Sequence, residues 1–434
     1  MSINVRKLEG LSLCLLPLAT ILDNGPWMNV GGSQGVSYGG VTLASGNGPY
    51  DYADGGKSVR ILNPCDNDNC DWETLEQLTT RRWYPTLETL EDGSAISSAT
   101  SSAATLLIQS NWATVLLDYT AQEEQALQDI PDAVRCYPAS GGTAMLPLTP
   151  ASNWTATVLF CGGSNIKSNG WETPGFNIPQ FAASASCVSI TPDVSGNYTE
   201  EDPLPEGRTM GNLILLPDGT VVNGRAQREH HPADTFYSAY YNKPRPAPQN
   251  LPTTLTYGGA YWNLSLTSTD LAGTPANIQN TKVVVIRTGF STHTINMDVR
   301  YVEPDSSYTG NADGSGTLHV AQLPPDAAIL ASGPALLFVV VDGVPSVAQM
   351  IMVGNGKIGK QPTLSAATLP SNATTAGAPT ASSSSSGGGG SSSAAVKTDM
   401  RWAIGAVAAT DMTPDHIGYG LDSFPSFLTI STGP

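Results

Sequence analysis

Charge is scarce in this chain. Asp, Glu, Lys and Arg make up 13% of 434 residues, about half of the roughly 25% usual in soluble domains. Basic residues are scarcer still, at 20 Lys and Arg against 37 Asp and Glu, a net charge of −17. With no basic surplus to neutralise phosphates, nucleic acid is excluded as a main partner. Glu, Lys, Ala and Leu in helical register are missing, which argues against a coiled coil or helical bundle. The apolar stretch RWAIGAVAA near the C-terminus is too short to span a bilayer, so no membrane span is expected. A Walker loop and an H-E-x-x-H helix are absent. In their place stand 44 Gly and 32 Pro. An acidic chain this rich in turn residues, Ser and Thr reads as a secreted all-β protein.

Six cysteines are present: Cys14, Cys65, Cys70, Cys136, Cys161 and Cys187. Cys65 and Cys70 share the polar loop NPCDNDNC and could close a local disulfide, since structural zinc sites favour CxxC-type pairs with a second pair elsewhere. Asp66, Asp68 and Asp71 lack the EF-hand glycine and terminal Glu, so this loop reads as a solvated turn. N-glycosylation sequons stand at Asn153, Asn197, Asn263 and Asn372, which agrees with secretion. The N-terminal MSINVRKLEGLSLCLLPLATIL resembles a secretory signal without a clean cleavage site. It runs straight into what looks like a first folded strand pair, which points to a truncated or misassembled beginning. At the other end, ASSSSSGGGGSSSAA cannot bury a core and reads as a disordered linker.

Apolar strands joined through Asn-Gly or Asp-Gly recur at TILDNGPWMNVGG (20–32), TLETLEDGSAIS (86–97) and LILLPDGTVVNG (213–224). These dipeptides fit tight hairpins, and TVLFCGG (157–163) adds a strand ending in Gly-Gly. Repeated units of this kind suggest a Kelch-type β-propeller, with an ordinary β-sandwich as the alternative. At roughly 45–50 residues per blade, the first 230 residues supply about five. From Phe236 to Gly354, runs such as KVVVIRTGF, TLHVAQL and ALLFVVVDG fit an immunoglobulin-like sandwich. The expected organisation is a propeller over 1–230, a sandwich over 231–356 and a low-complexity tail over 357–434.

Several phrases are more specific than generic β-sequence: WMNVGGSQG, GGKSVRILNPCDNDNCDW, RRWYPT, IPDAVRCYPASGGTAMLPLTP, VLFCGG, DPLPEGRTMGNLILLPDGTVV, GFSTHTINMDVRYV and VPSVAQMIMV. In content and order they resemble the glyoxal oxidase family of fungal copper radical oxidases, relatives of galactose oxidase, over roughly residues 20–354. The resemblance implies a seven-bladed propeller followed by an immunoglobulin-like early-set domain. It also implies oxidation of simple aldehydes such as glyoxal and methylglyoxal to carboxylic acids, with O2 reduced to H2O2 that peroxidases could use. The family's site holds one copper, two tyrosines, two histidines and a cysteine joined to one tyrosine by a thioether.

Carried over position by position, Tyr84 in RRWYPT matches the cross-linked tyrosine that binds copper and becomes a radical. His293 in GFSTHTIN matches a copper-binding histidine of the second domain. Cys14 lies close to the spacing of the cross-linked cysteine but lacks its flanking glycines, and a hydrophobic signal-segment cysteine is the simpler reading. The family's adjacent Tyr-His ligand pair has no counterpart, because no Tyr-His dipeptide occurs. The text passes from TVVNGRAQ directly to REHHPADTFYSAYYNKPRP, and a second discontinuity follows DGSAIS, so internal blades look deleted. His230 and His231 beside the first junction are poor substitutes, since adjacent rings rarely face one metal. His319 and His416 read as solvated. Two expectations follow: a secreted copper radical oxidase impaired by missing ligands, or an inactive propeller–sandwich protein with a binding or cell-wall role.

Overall fold

Short apolar segments separated by Gly-, Pro- and Asn-rich turns favour antiparallel meanders, and the computed structural model is built of them. The structure describes residues 18–22, 25–32, 55–65, 67, 69–90, 105–167, 170, 173, 176–225, 237–357 and 359–374. The first sheet runs β1 (Leu18–Ile21), β2 (Trp27–Val30), β3 (Val59–Leu62) and β4 (Trp72–Thr74) in chain order. The second runs β5 (Thr86–Thr89), β6 (Thr105–Ser110), β7 (Ala113–Asp118) and β8 (Glu123–Ala126). The third comprises β9 (Gly141–Met145), β10 (Val158–Gly162), β11 (Cys187–Ile190) and β12 (Tyr198–Glu201). A two-stranded unit follows, β13 (Gly211–Leu215) with β14 (Val221–Arg225). These are propeller-type blades, three complete and one of two strands among the described residues, fewer than the five expected from length.

Blade 2 shows why its strands are apolar at nearly every position. Successive residues of a strand point to opposite faces, and both faces of this blade are covered. Leu106, Ile108, Val115 and Leu117 pack with Met28, Val30 and Val59 of blade 1. Leu107 and Leu116 face the other way, into a core shared with Val158 and Phe160 of blade 3. Blade 3 repeats the device, because Leu159 and Cys161 meet Leu213 and Leu215 of the next unit. Cys161 is cross-strand partner to Cys187 and bonded to it by a disulfide. A second disulfide joins Cys65 to Cys70, and Cys136 is free and buried.

The second domain contains β15 (Thr254–Leu255), β16 (Tyr257–Gly259), β17 (Trp262–Leu266), β18 (Thr281–Arg287), β19 (Phe290–Thr292), β20 (Ile295–Met297) and β21 (Arg300–Val302). It continues with β22 (Ser306–Gly310), β23 (Gly316–Val320), β24 (Gly333–Val341), β25 (Val344–Pro345), β26 (Gln349–Val353), β27 (Thr363–Ala366) and β28 (Ala373–Thr374). One sheet is ordered β15-β26-β24-β18-β21 with β25 on β24, and another β17-β23-β22-β28. Val283, Val285, Leu337 and Val339 of the first share a core with Leu264, Leu266, Leu318 and Val320 of the second, the face-to-face arrangement of a sandwich. The tail expected from residue 357 starts later, since β27 pairs with β16 and β28 with β22. These late strands are largely exposed and Thr/Ala-rich, so hydrophobicity alone does not reveal them. Helical structure among the described residues is confined to short 3-10 turns such as Pro275–Asn280. No helix of the described residues is long and apolar enough to cross a membrane.

One feature joins the domains. The hairpin β19–β20 leaves the sandwich and contacts β1, β5, β9 and β13, the first strand of each blade unit. Asn296, 5% exposed, donates from Nδ2 to the Thr143 carbonyl on β9 (2.9 Å) and the Leu213 carbonyl on β13 (2.7 Å). Ile295 packs with Leu22, Tyr84 and Leu87. Just beyond, Arg300 pairs with the buried Glu88 on β5 at 2.7 Å and donates to the Thr89 carbonyl.

Candidate metal centre

Blade corners set the site. Before β5 the chain reads Arg82-Trp83-Tyr84-Pro85, before β9 Arg135-Cys136-Tyr137-Pro138, and before β13 Arg208-Thr209-Met210. Each arginine turns back into its own blade. Arg82 donates to the Ala113 carbonyl, Arg135 to the Ser186 carbonyl and hydroxyl, and Arg208 to the Asn223 carbonyl. Burial pushes the Arg135 guanidinium down to about 10, still protonated at neutral pH. The Arg82 and Arg208 backbones are gripped by Gly-Gly pairs. Gly32 donates its N–H to the Arg82 carbonyl, and Gly163 does the same to Arg208. A Cβ on Gly31 would lie 2.6 Å from the Arg82 carbonyl oxygen, and Gly162 meets Arg208 in the same way. The sequence puts glycine where the backbones must touch.

Tyr84 sits at φ 43° and His293 at φ 53°, followed by Thr294 at φ 61°. Bulky residues rarely adopt this left-handed region, and where they do the strain, about 1–3 kcal/mol each, concentrates at functional sites. The two rings come from different domains and their centroids lie 4.5 Å apart. Trp83 stands edge-on to Tyr84 at 5.0 Å. Tyr137 completes a triangle, at 5.2 Å from Tyr84 and 4.6 Å from His293. The corners are tied together: Ser140 Oγ donates to the His293 carbonyl (2.8 Å), and Met210 N–H to the Ser140 carbonyl (2.7 Å).

Electrostatics follow from burial. The Tyr84 phenol is pushed above its ordinary value by desolvation and further by the neighbouring Tyr137. Burial lowers His293 below its ordinary value, which keeps its imidazole neutral at neutral pH. The Thr292 hydroxyl bonds His293 Nδ1 at 2.9 Å, leaving Nε2 as the nitrogen for a ligand. A neutral imidazole and phenol oxygens are donors suited to Cu(II). Among the described residues no group of three His, Cys, Asp or Glu side chains could hold a metal ion, and the donors that stand beside His293 are phenols.

The structure thus brings Tyr84 and His293 together. Cys14, His230, His231, His416, Asp66 and Asp68 lie outside the described residues. Cys136 packs separately, with Val134, Ala139 and Ile166. His319 is not free in solvent as expected: Nε2 bonds the Thr309 hydroxyl and Nδ1 the Asn263 amide oxygen, a cross-strand network on the sandwich. Asn153, Asn197, Asn263 and Asn372 are all exposed. Sequence reading passed over Tyr137 and the Cys161–Cys187 bridge. The signal for Tyr137 was the repeated phrase Arg-x-Tyr-Pro, and that for the bridge was the pair of apolar strands carrying the two cysteines.

Residues 98–230 match the family model Glyoxal oxidase N-terminus, and residues 245–353 match Galactose oxidase-like, Early set domain. The later blades are thus similar to the glyoxal oxidase N-terminus and the sandwich to the galactose oxidase-like early set domain. Among galactose oxidase-like proteins, the chain's similarity is to the glyoxal oxidases, through two partial matches that each cover less than half of it. Curated relatives include aldehyde oxidase GLOX of Vitis pseudoreticulata, 27% identical over 219 residues, covering 39% of this chain and 40% of that protein. The chain therefore spans well under half of that relative's length. Aldehyde oxidase GLOX1 of Arabidopsis thaliana is 22% identical over 460 residues, covering 78% of this chain and 72% of that protein. Among solved structures, a fungal alcohol oxidase of the AA5 family in complex with copper is 15% identical with a TM-score of 0.41, covering 77% of this chain and 74% of that one.

Proposed function

We propose that this chain is a secreted, copper-binding member of the aldehyde-oxidising glyoxal oxidases whose turnover is impaired. The observation that carries the reading is the contact of Tyr84 with His293 across the domain boundary, each ring held by a strained left-handed corner. The reaction of this class balances as RCHO + H2O + O2 → RCOOH + H2O2. Copper, when bound, supplies a one-electron acceptor and a Lewis acid. Tyr84 would supply the redox-active phenol and an anionic ligand, and His293 the imidazole that anchors the metal to the second domain. Trp83, edge-on to Tyr84 at 5.0 Å, packs the phenol ring in place.

Impairment is inferred from the missing Tyr-His pair and from the lack of an assured sulfur partner for Tyr84. The described cysteines are either in disulfides or, for Cys136, committed to another cluster. Secretion is supported by the disulfides and the exposed sequons; attachment to a cell wall through the Ser/Gly-rich tail belongs to the same reading. The test is to load the purified protein with Cu(II), supply methylglyoxal and O2, and measure peroxide beside a Tyr84→Phe variant. Slow peroxide release that the variant lacks is expected. Copper bound by the wild type without peroxide would leave a metal-binding protein without oxidase activity. No copper uptake would overturn the proposal.

A further inference from the structure

We propose that Tyr137 is a second phenol donor to the same metal, so that this chain binds copper through Tyr84, Tyr137 and His293. The inference rests on the copper reading above and deepens it, because nothing in the sequence match assigns Tyr137 a role. Three observations carry it. The first is the triangle of rings, with centroid separations of 4.5, 4.6 and 5.2 Å, built from three segments remote in sequence. Hydrophobic contact alone would explain the rings but not why two of them carry hydroxyls.

The second is what those hydroxyls do. Buried tyrosines usually place the O–H on a partner, and elsewhere in this protein they do. Tyr198 bonds Thr114, Tyr257 donates to the Leu330 carbonyl, and Tyr301 donates to the Pro217 carbonyl. Among the described residues neither the Tyr84 nor the Tyr137 hydroxyl has a hydrogen-bond partner, although Tyr84 is 4% exposed. Neither oxygen is among the buried unpartnered atoms, so both reach open space beside the ring triangle, where a ligand can take them in place of water.

The third is preorganisation. The segment carrying Tyr137 is locked from within by Arg135, whose Nη1 donates to the carbonyls of Pro131 and Ala133, and by the Gly141 N–H on the Arg135 carbonyl. It is locked to the metal-binding corner by the Ser140 hydroxyl on the His293 carbonyl. A donor held this way loses little freedom on binding. Binding is a simple exchange, in which each phenol releases its proton to solvent as its oxygen takes the metal.

The experiment is a Cu(II) titration of the full chain by calorimetry, with the visible phenolate-to-copper charge-transfer absorption recorded alongside. Wild type is compared with Tyr137→Phe, Tyr84→Phe and His293→Gln, each checked for native fold by near-UV circular dichroism. Phenylalanine keeps the ring contacts, so a packing role for Tyr137 would leave copper binding unchanged. The expected result is that Tyr137→Phe weakens copper at least about tenfold, the lower bound for losing even an indirect partner of a metal, and removes part of the absorption. Full affinity and an unchanged band in Tyr137→Phe, with loss in Tyr84→Phe and His293→Gln, would overturn the role of Tyr137 while leaving the copper reading intact. A wild-type chain that takes up no copper would overturn both. If Tyr137→Phe misfolds, Tyr137→His, which restores a donor, should recover copper binding with a weaker charge-transfer band; failure to recover it would count against the proposal.

Discussion

Tyr84, Tyr137 and Met210 occupy the same place in successive blades, two residues after an arginine whose side chain is anchored in its own blade. The corner works only because a glycine pair lets the Arg82 carbonyl come close, which yields a prediction at the scale of one residue. Gly31 has φ +70° and would put a Cβ 2.6 Å from that carbonyl, whereas Gly25 has φ +91° with nothing within 4 Å. A side chain at either site incurs left-handed strain of about 1–3 kcal/mol. Only Gly31→Ala must also push the Arg82 backbone aside, and Tyr84 with it. Chemical denaturation should therefore rank Gly31→Ala well below Gly25→Ala in stability. Copper affinity should fall in the former and hold in the latter. Tyr84 and His293 stand out in the sequence because each lies in a phrase that resembles one family, and their rings meet in the structure. Tyr137 lies in an equally specific phrase, yet its role depends on two chain segments meeting at a point, and no linear pattern records that.

Among the elements, the hairpin β19–β20 and the strand after it do the work of joining the domains. Arg300 is 5% exposed and Glu88 2%, so neither charge has water to fall back on. Burial lifts Glu88 above the ordinary carboxylate range, with Arg300 pulling it back only in part. Replacing Arg300 by Met would strand the carboxylate, and breaking a buried pair typically costs about 3–5 kcal/mol. The sign of the pH dependence follows. An acid whose folded pKa exceeds its unfolded value contributes stability that is complete below the unfolded pKa and fades as pH rises through the folded one. With Arg300 gone, Glu88 is raised further, so Arg300→Met should lose more stability relative to wild type at pH 7 than at pH 4.5. Urea melts at the two pH values check this; an equal loss at both would mean that Glu88 does not carry the effect. The blades and the sandwich strands were legible as alternating or continuous apolar runs between turn residues. The hairpin was not, since FST and INM are short and weakly apolar. Its importance comes from the first strands of four blade units that it touches.

For the whole molecule, the buried phenols make an alkaline limit to stability. Tyr84, Tyr198, Tyr240 and Tyr301 are all raised above the ordinary tyrosine value, in each case chiefly by desolvation. Tyr198 spans blades, bonding Thr114 on β7 from the start of β12. Tyr301 stands on β21 of the sandwich and donates to Pro217 in the β13–β14 turn. Above about pH 10 the unfolded chain gives up phenolic protons that the folded chain retains. Stability then falls by about 1.4 kcal/mol per pH unit for each such phenol until its folded pKa is reached. Tyr198 and Tyr301, the two most strongly raised, together remove about 3 kcal/mol per pH unit, so a protein of ordinary stability, about 5–15 kcal/mol, should lose much of it over two to three units, with Tyr84 and Tyr240 adding to the loss. Tyrosinate absorbance and near-UV circular dichroism, followed together from pH 9 to 13, should therefore show exposed tyrosines ionising first with the fold intact. A second group should then ionise as the dichroism collapses. Smooth ionisation of every tyrosine with the dichroism unchanged would mean that these phenols reach solvent in the folded state. In that case the desolvated setting on which the Tyr84 corner depends would be absent.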